Sequence, residues 1–220
     1  MKIEYDADDY IVSETELKIM LAGLGYEHAF GLFSSEEQTR QEETRENVLK
    51  IIVSMLNDRK IKSDGEKILI CKPLEEIVRI IGEAERSALM SLLGEESQLC
   101  CYFSSQTAIC ETVAYQPKMF RLSKSDPKSV AERIVNSGIY PEGYENSGTD
   151  EERNLWENSG IKVLTAEFFN GCEPEAKLEV EFPAIGQAEI IISGDGPTVC
   201  TRPFGKDALY ESLLDLMERA

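Results

Sequence analysis

The sequence predicts an α+β fold: a helical, winged-helix-like N-terminal segment, then an antiparallel sheet built from two meander-plus-helix repeats in a quasi-two-fold arrangement. Three observations lead there. The apolar spacing is that of helices up to about residue 85 and switches to alternation from about Arg86. The strand-length runs that follow are separated by short stretches such as Ser104-Ser105-Gln106, the spacing of hairpins. Finally, a series of strands followed by an amphipathic helix occurs twice. The expected divisions are a helical segment over 1–85, a first unit over 86–140 and a second over 141–220, together one compact domain.

The first helix begins with a capping box, Ser13 with Glu16 three residues on. Leu17, Met20, Leu21 and Leu24 then recur at helical spacing until Gly25 stops the run. A polar stretch from Ser34 leads into a second helix, whose Val48, Leu49, Ile51, Ile52, Met55 and Leu56 are expected to form a buried stripe. Between Lys60 and Cys71, two small apolar runs flank a turn at Ser63-Asp64-Gly65. Pro73 then opens a third helix, with Leu74, Ile77, Val78 and Ile81 on its apolar face and Gly82 at its end. Helix, small ribbon, helix is the outline of a winged-helix module.

Strand-length runs follow at Ala88–Leu93, Gln98–Phe103, Ala108–Tyr115 and Lys118–Leu122. Ser125 or Asp126 caps a helix that has Pro127 in its first turn and Val130, Ala131, Ile134 and Val135 on its apolar side. After a polar stretch, Glu142–Arg153, strands are expected at Ile161–Phe169, Ala176–Phe182, Ala188–Ser193 and Thr198–Arg202. A last helix, Lys206–Arg219, buries Leu209, Leu213, Leu214, Leu216 and Met217. Ala108–Pro117 and Ala188–Pro197 are equal in length, both end at Pro, and each precedes a short strand, a turn with Asp126 or Asp207, and a helix. This is a duplication of pattern rather than of residue identity.

Charge narrows the function classes. Twenty-three basic residues against forty-one acidic ones give a net charge of −18 at pH 7. Such a surface repels phosphate backbones and anionic membranes and steers basic faces towards it. Met1–Tyr10 carries Glu4, Asp6, Asp8 and Asp9 in place of a basic leader, and the most apolar run, Val48–Leu56, is interrupted and too short to span a bilayer. The expectation is a cytoplasmic protein. Its six cysteines include no C-x-x-C pair and are expected to be reduced, with the adjacent Cys100 and Cys101 on opposite faces of a strand.

Candidate chemistry resolves into ordinary structure. His28, the one histidine, has no nucleophile elbow beside it and reads as a cap or surface residue. Asp6, Asp8 and Asp9 lack the calcium-loop spacing, since Asp9 is out of step and Tyr10 stands where a ligand is needed. Gly194-Asp-Gly-Pro197 lies between two strands and reads as a hairpin turn, while Gly205-Lys206 lacks the rest of a phosphate loop. The pairs Glu42-Glu43 and Glu75-Glu76 diverge on a helix surface, and the third helix offers Arg79 alone as a base-reading cation. No catalytic residue, metal site or cofactor is expected.

Three features together resemble the EspG-type chaperones of ESX (type VII) secretion systems. They are the helix Glu14-Thr-Glu-Leu-Lys-Ile-Met-Leu-Ala-Gly-Leu-Gly25, the passage from Asn47 through Arg59-Lys-Ile-Lys-Ser-Asp to Gly65, and the pair of meander-plus-helix units. The resemblance implies a quasi-two-fold antiparallel sheet with flanking helices. It also implies a non-catalytic cytosolic chaperone or adaptor for a helical secreted protein or a small WXG-type protein. The chain is shorter than the family's usual members, and no family binding residue falls on a matching motif. A partner surface is expected at a hairpin tip or strand edge such as Ser104, Ser105 and Gln106. No nucleic acid and no membrane is expected as partner; a homodimer is compatible with the sequence. The alternatives are a winged-helix-type transcriptional regulator and an enzyme whose site is dispersed along the chain.

Overall fold

The alternation that begins at Arg86 folds into one nine-stranded antiparallel sheet. The computed structural model describes residues 9–26, 45–65, 67–93, 98–113, 116, 118–137, 161–182, 188–194 and 199–219. The strands of the large sheet are β1 (Tyr10–Ser13), β4 (Arg86–Leu92), β5 (Gln98–Phe103), β6 (Thr107–Thr112), β7 (Met119–Ser125), β8 (Ile161–Asn170), β9 (Glu173–Phe182), β10 (Glu189–Gly194) and β11 (Val199–Pro203). Their spatial order is β1-β7-β6-β5-β4-β8-β9-β10-β11. Each run of four, β4 to β7 and β8 to β11, is a meander of consecutive strands, and the two runs meet along β4 and β8 with Met90 opposite Ala166. The first meander is followed by α4 (Pro127–Val135) and the second by α5 (Lys206–Glu218). The fold class is therefore α+β, as the sequence predicts.

Helices cover the two faces of the sheet unequally. On one face α4 and α5 pack on each other and bury Val130, Ile134, Leu209, Leu213 and Leu216 against Ala88, Cys101, Ala166, Phe168, Leu178 and Val180. On the other face α1 (Glu14–Gly23), α2 (Arg45–Asn57) and α3 (Lys72–Glu83) bury Leu17, Met55, Leu74, Ile77 and Ile81 with Cys100, Tyr102, Cys110 and Leu122. Among the described residues that second layer lies over the first meander, where α3 contacts β5, β6 and β7. The sequences obey this. Leu99–Tyr102 and Thr107–Glu111 are buried at every position, whereas Ala176, Leu178 and Val180 are buried in alternation with half-buried Lys177, Glu179 and Glu181. Cys100 and Cys101 indeed fall into different cores.

Several local signals act as their chemistry dictates. The Ser13 hydroxyl accepts from Glu16 N at 3.2 Å while the Glu16 carboxylate accepts from Ser13 N at 2.7 Å, closing the capping box. Asp126, not Ser125, caps α4 by accepting from the backbone of Lys128 and Ser129. The turn at Ser63–Gly65 joins β2 (Ile61–Ser63) to β3 (Ile68–Ile70), a separate two-stranded hairpin between α2 and α3.

Other expectations change. Residues 10–13, where no strand is expected, form β1 and pair with β7, Val12 opposite Phe120. Lys118 lies in a turn at φ 70°, so β7 starts at Met119 and runs to Ser125. Gly82 does not stop α3. It lies within the helix, one residue before its end, and its lack of a side chain serves packing: a Cβ there would sit 2.4 Å from the ring of Tyr26, and only a bare Cα lets the two approach. In the stripe of α2 only Met55 is buried; Leu49 is exposed, and so is its neighbour Val53.

Candidate interaction sites

Exposed aliphatic side chains gather at the N-terminal layer, where Leu49, Val53, Ile68 and Leu69 all face outward. The hairpin β2–β3 does not join the large sheet. It is held at its base by Ile61, which is buried, and by Lys60, whose ammonium donates to both carboxylate oxygens of Glu16 at 2.8 and 2.9 Å. One carboxylate thus closes the capping box of α1 and ties α1 to the turn that ends α2. Between these anchored walls lies an apolar groove of about 530 Å³. Ile19, Met20 and Leu24 of α1 and its end line one side, Ile52 and Met55 of α2 the floor, and Ile68–Ile70 of β3 the other side; Glu75 and Arg79 of α3 close it as an ion pair at 2.7 Å. Ile68 is 52% exposed and Leu69 38%, although both are aliphatic. Exposed apolar surface of this kind marks contact sites more often than chance does.

A second cavity, about 510 Å³, lies at one end of the large sheet and is where Ser104, Ser105 and Gln106 are found. These three residues form the tip between β5 and β6, with Ser104 N donating to Gln106 O at 2.9 Å. Glu83, Glu85 and Arg86 face them, with Met217 and Glu218 from the end of α5. Arg86 donates to Glu175 at 2.9 and 3.1 Å and to the carbonyl of Leu216 at 3.0 Å, near the C-terminus of α5 where a cation is favoured. Hairpin spacing places the tip; nothing local in the sequence brings the other walls to it.

Several other ionisable residues form structural pairs. Glu75 pairs with Arg79 and Glu76 with Lys124 at 3.5 Å, so this acidic pair diverges as its spacing implies. Buried Glu111 accepts from Arg133 at 2.8 Å and lies 3.6 Å from Arg121, tying α4 to the sheet. On the half of the sheet without a described helical cover, Lys162 and Lys177 flank Glu179 at 2.6 and 3.1 Å. Burial pushes the Cys100 thiol up to about 11 and also raises Cys101, Cys110 and Tyr102. These thiols stay protonated near neutrality and behave as small apolar core groups.

Among the described residues no group of three or more His, Cys, Asp or Glu is placed to hold a metal ion. His28, Asp6, Asp8, Glu42, Glu43 and Asp195 to Pro197 lie outside the described residues. Gly194 ends β10, and Gly205-Lys206 is the start of α5, with Gly205 as an extended N-cap. No helix among the described residues is long and apolar enough to cross a membrane. Comparison with protein-family models and with curated proteins finds no match to this chain.

Proposed function

We propose that this chain is a non-catalytic protein-binding adaptor that receives an amphipathic helical segment of its partner in the groove between α1, α2 and β3. One observation carries the reading: Ile68 and Leu69 stand exposed on the wall of a groove whose other walls are Ile19, Leu24 and Ile52. Such a lining of apolar side chains suits the i, i+3, i+4, i+7 stripe of a helix. In its finer form the reading is a cytoplasmic chaperone of the EspG type, serving a helical type VII secretion substrate. That form rests on the order of elements and on the resemblance of the passages around α1 and α2.

Co-expression with the small helical proteins encoded beside it tests both forms. A stable complex with one of them is expected. Ile68→Asp with Leu69→Asp should abolish it while leaving the protein folded, at a cost of about 1–2 kcal/mol from the two half-exposed strand positions. A complex that survives this double substitution would sink the groove as the binding site. The absence of any complex with all neighbouring helical proteins would remove the secretion-chaperone form.

A further inference from the structure

We propose that the cavity beside the Ser104–Gln106 tip binds an organic cation, an ammonium or guanidinium carried on an aliphatic stem. This site is separate from the groove, and its failure would leave the adaptor reading untouched. At about 510 Å³ the cavity has the size of a small-ligand site. Glu83, Glu85 and Glu218 line it, against a single base, Arg86. That base is already committed. It donates to both carboxylate oxygens of Glu175 and to Leu216 O, and its Nη1 is buried in the protein rather than open to the cavity.

Acidic residues are common in this chain, so their number alone assigns nothing; their placement does. Helix α3 ends at Glu83 and α5 at Glu218, and neither has a basic residue in its last turn. A carboxylate at a helix C-terminus opposes the dipole, and a cation is the favoured occupant there. Two helix ends of this unfavourable kind line one cavity. Helix α4 adds its N-terminus at Pro127, but the Asp126 carboxylate already caps that end. Thr107 is an independent pointer. It lies on the α4–α5 face of the sheet, since Ala108 beside it belongs to the opposite core and Ile109 to this one. It lines the cavity, is 2% exposed, and its hydroxyl meets no partner among the described residues. Buried hydroxyls are normally hydrogen-bonded, and a donor on a ligand would supply the missing bond.

The lining also sets the class of cation. The three carboxylates are not placed to hold a metal ion together. A longer cation fits, with its charged end among the carboxylates and its stem against Phe103, Pro127 and Met217. Glu83 accepts from the Tyr26 hydroxyl, whereas Glu85 and Glu218 have no ion-pair partner among the described residues and are left for the ligand. A free amine offers this chemistry, and so does an arginine or lysine side chain of a partner.

Titration calorimetry on the full chain tests this with agmatine, with a blocked Gly-Arg-Gly tripeptide, and with the same tripeptide carrying citrulline, the uncharged isostere of arginine. Agmatine, the arginine tripeptide or both should bind at least about tenfold tighter than the citrulline tripeptide, as charge-assisted contacts do against neutral ones. Binding of agmatine alone assigns the site to a free amine, and binding of the arginine tripeptide to a partner's side chain. Glu85→Gln with Glu218→Gln should weaken that binding about tenfold, with the thermal transition unchanged or raised, since one carboxylate opposes its helix end. Thr107→Val should weaken it with every charge in place, and Ile68→Asp with Leu69→Asp should leave it as it is. If neither cation binds at millimolar concentration, or the citrulline tripeptide binds equally well, the proposal is overturned. Binding that survives the double glutamine substitution overturns it too, and so does displacement of agmatine by equimolar calcium, which would give the carboxylates to a metal ion.

Discussion

The ion pair between Glu16 and Lys60 should be worth far more than a surface salt bridge, and Glu16→Ala measures it. Glu16 is 6% exposed and the Lys60 side chain 14%, so both charges are largely removed from water. Removing the carboxylate deletes the bond to Ser13 N, worth about 1 kcal/mol net. It also leaves the Lys60 ammonium with Asp58 at 3.6 Å, a partner more than half exposed. Breaking one side of a buried pair costs about 3–5 kcal/mol, and the residual help from Asp58 places the total near the lower figure, about 3 kcal/mol. The variant Lys60→Met strands the carboxylate less severely, because Ser13 N still donates to it. When both are changed, neither charge is stranded, so the double variant should recover about 1–2 kcal/mol relative to the sum of the singles. Urea unfolding of the four proteins at one pH and salt supplies the cycle, with equal m-values as the condition for comparing them. A loss below about 1 kcal/mol for Glu16→Ala, or a strictly additive double variant, would refute the assignment of this pair as the anchor between α1 and the hairpin.

Thiol titration of the native protein with an aromatic disulfide should give immediate reaction at exposed Cys172 and Cys200 and slower reaction at half-buried Cys71. Cys100, Cys101 and Cys110 should react only on unfolding, since burial holds Cys100 up to about 11 and raises the other two as well; a fast third thiol among them would contradict their packing. Gly82→Ala should lower the Tm and destabilise by about 1–3 kcal/mol, despite alanine's better helix propensity, because its Cβ meets the Tyr26 ring while that ring's hydroxyl is tied to Glu83 at 2.7 Å. Adding Tyr26→Ala should relieve part of that loss, and an unchanged Tm for Gly82→Ala would disprove the close approach. For Asp126, hydrogen bonds from the Ser129 hydroxyl and backbone lower the carboxyl pKa. For Glu179, burial alone raises it but hydrogen bonds from Lys162 and Lys177 prevail and lower it. Both contributions to stability are therefore present above the unfolded-state values of about 4 and are lost as the pH falls through the folded-state ones. Asp126→Asn and Glu179→Gln should each flatten the acid limb of a stability-against-pH curve, and a slope unaffected by either substitution would count against the pairing.

What the sequence reveals and what it hides divide along the range of the interactions. Alternation in Glu175–Glu181 reports a strand covered on one face, and the unbroken apolar run Leu99–Tyr102 reports one covered on both, because burial acts on each residue where it stands. Capping by Ser13 and Glu16 is equally local. The strand β1 escapes notice although Tyr10, Ile11 and Val12 favour strands, because four residues are too few to show a period and their partner β7 is distant in sequence. Likewise the meeting of β4 with β8 brings together strands that no hairpin connects. Helical spacing in α2 correctly indicates a helix and overstates its burial, since periodicity shows that an apolar face exists without showing what lies against it. The same holds for interaction sites. Ser104–Gln106 is placed at a tip by hairpin spacing, whereas the groove needs Lys60 to find Glu16, forty-four positions away.

The exposed face of β3 follows from how the N-terminal layer divides its tasks. Covering the first meander takes all of α3, whose Leu74, Ile77, Val78, Ile80 and Ile81 are buried, together with Leu17, Met20 and Leu21 of α1. The hairpin β2–β3 makes no pairing with the large sheet, and an isolated two-stranded ribbon is marginal in water. Its anchors, Ile61 and the Lys60 ion pair, lie at its base, so they can hold the ribbon without covering Ile68 and Leu69. Full burial of such a side chain is worth about 1.5–3 kcal/mol, and much of that remains unrealised in the chain alone. Threonine or lysine at these positions would serve a ribbon that had only to remain folded and soluble. Aliphatic side chains on the wall of a groove instead leave a driving force that association with a matching helix would satisfy.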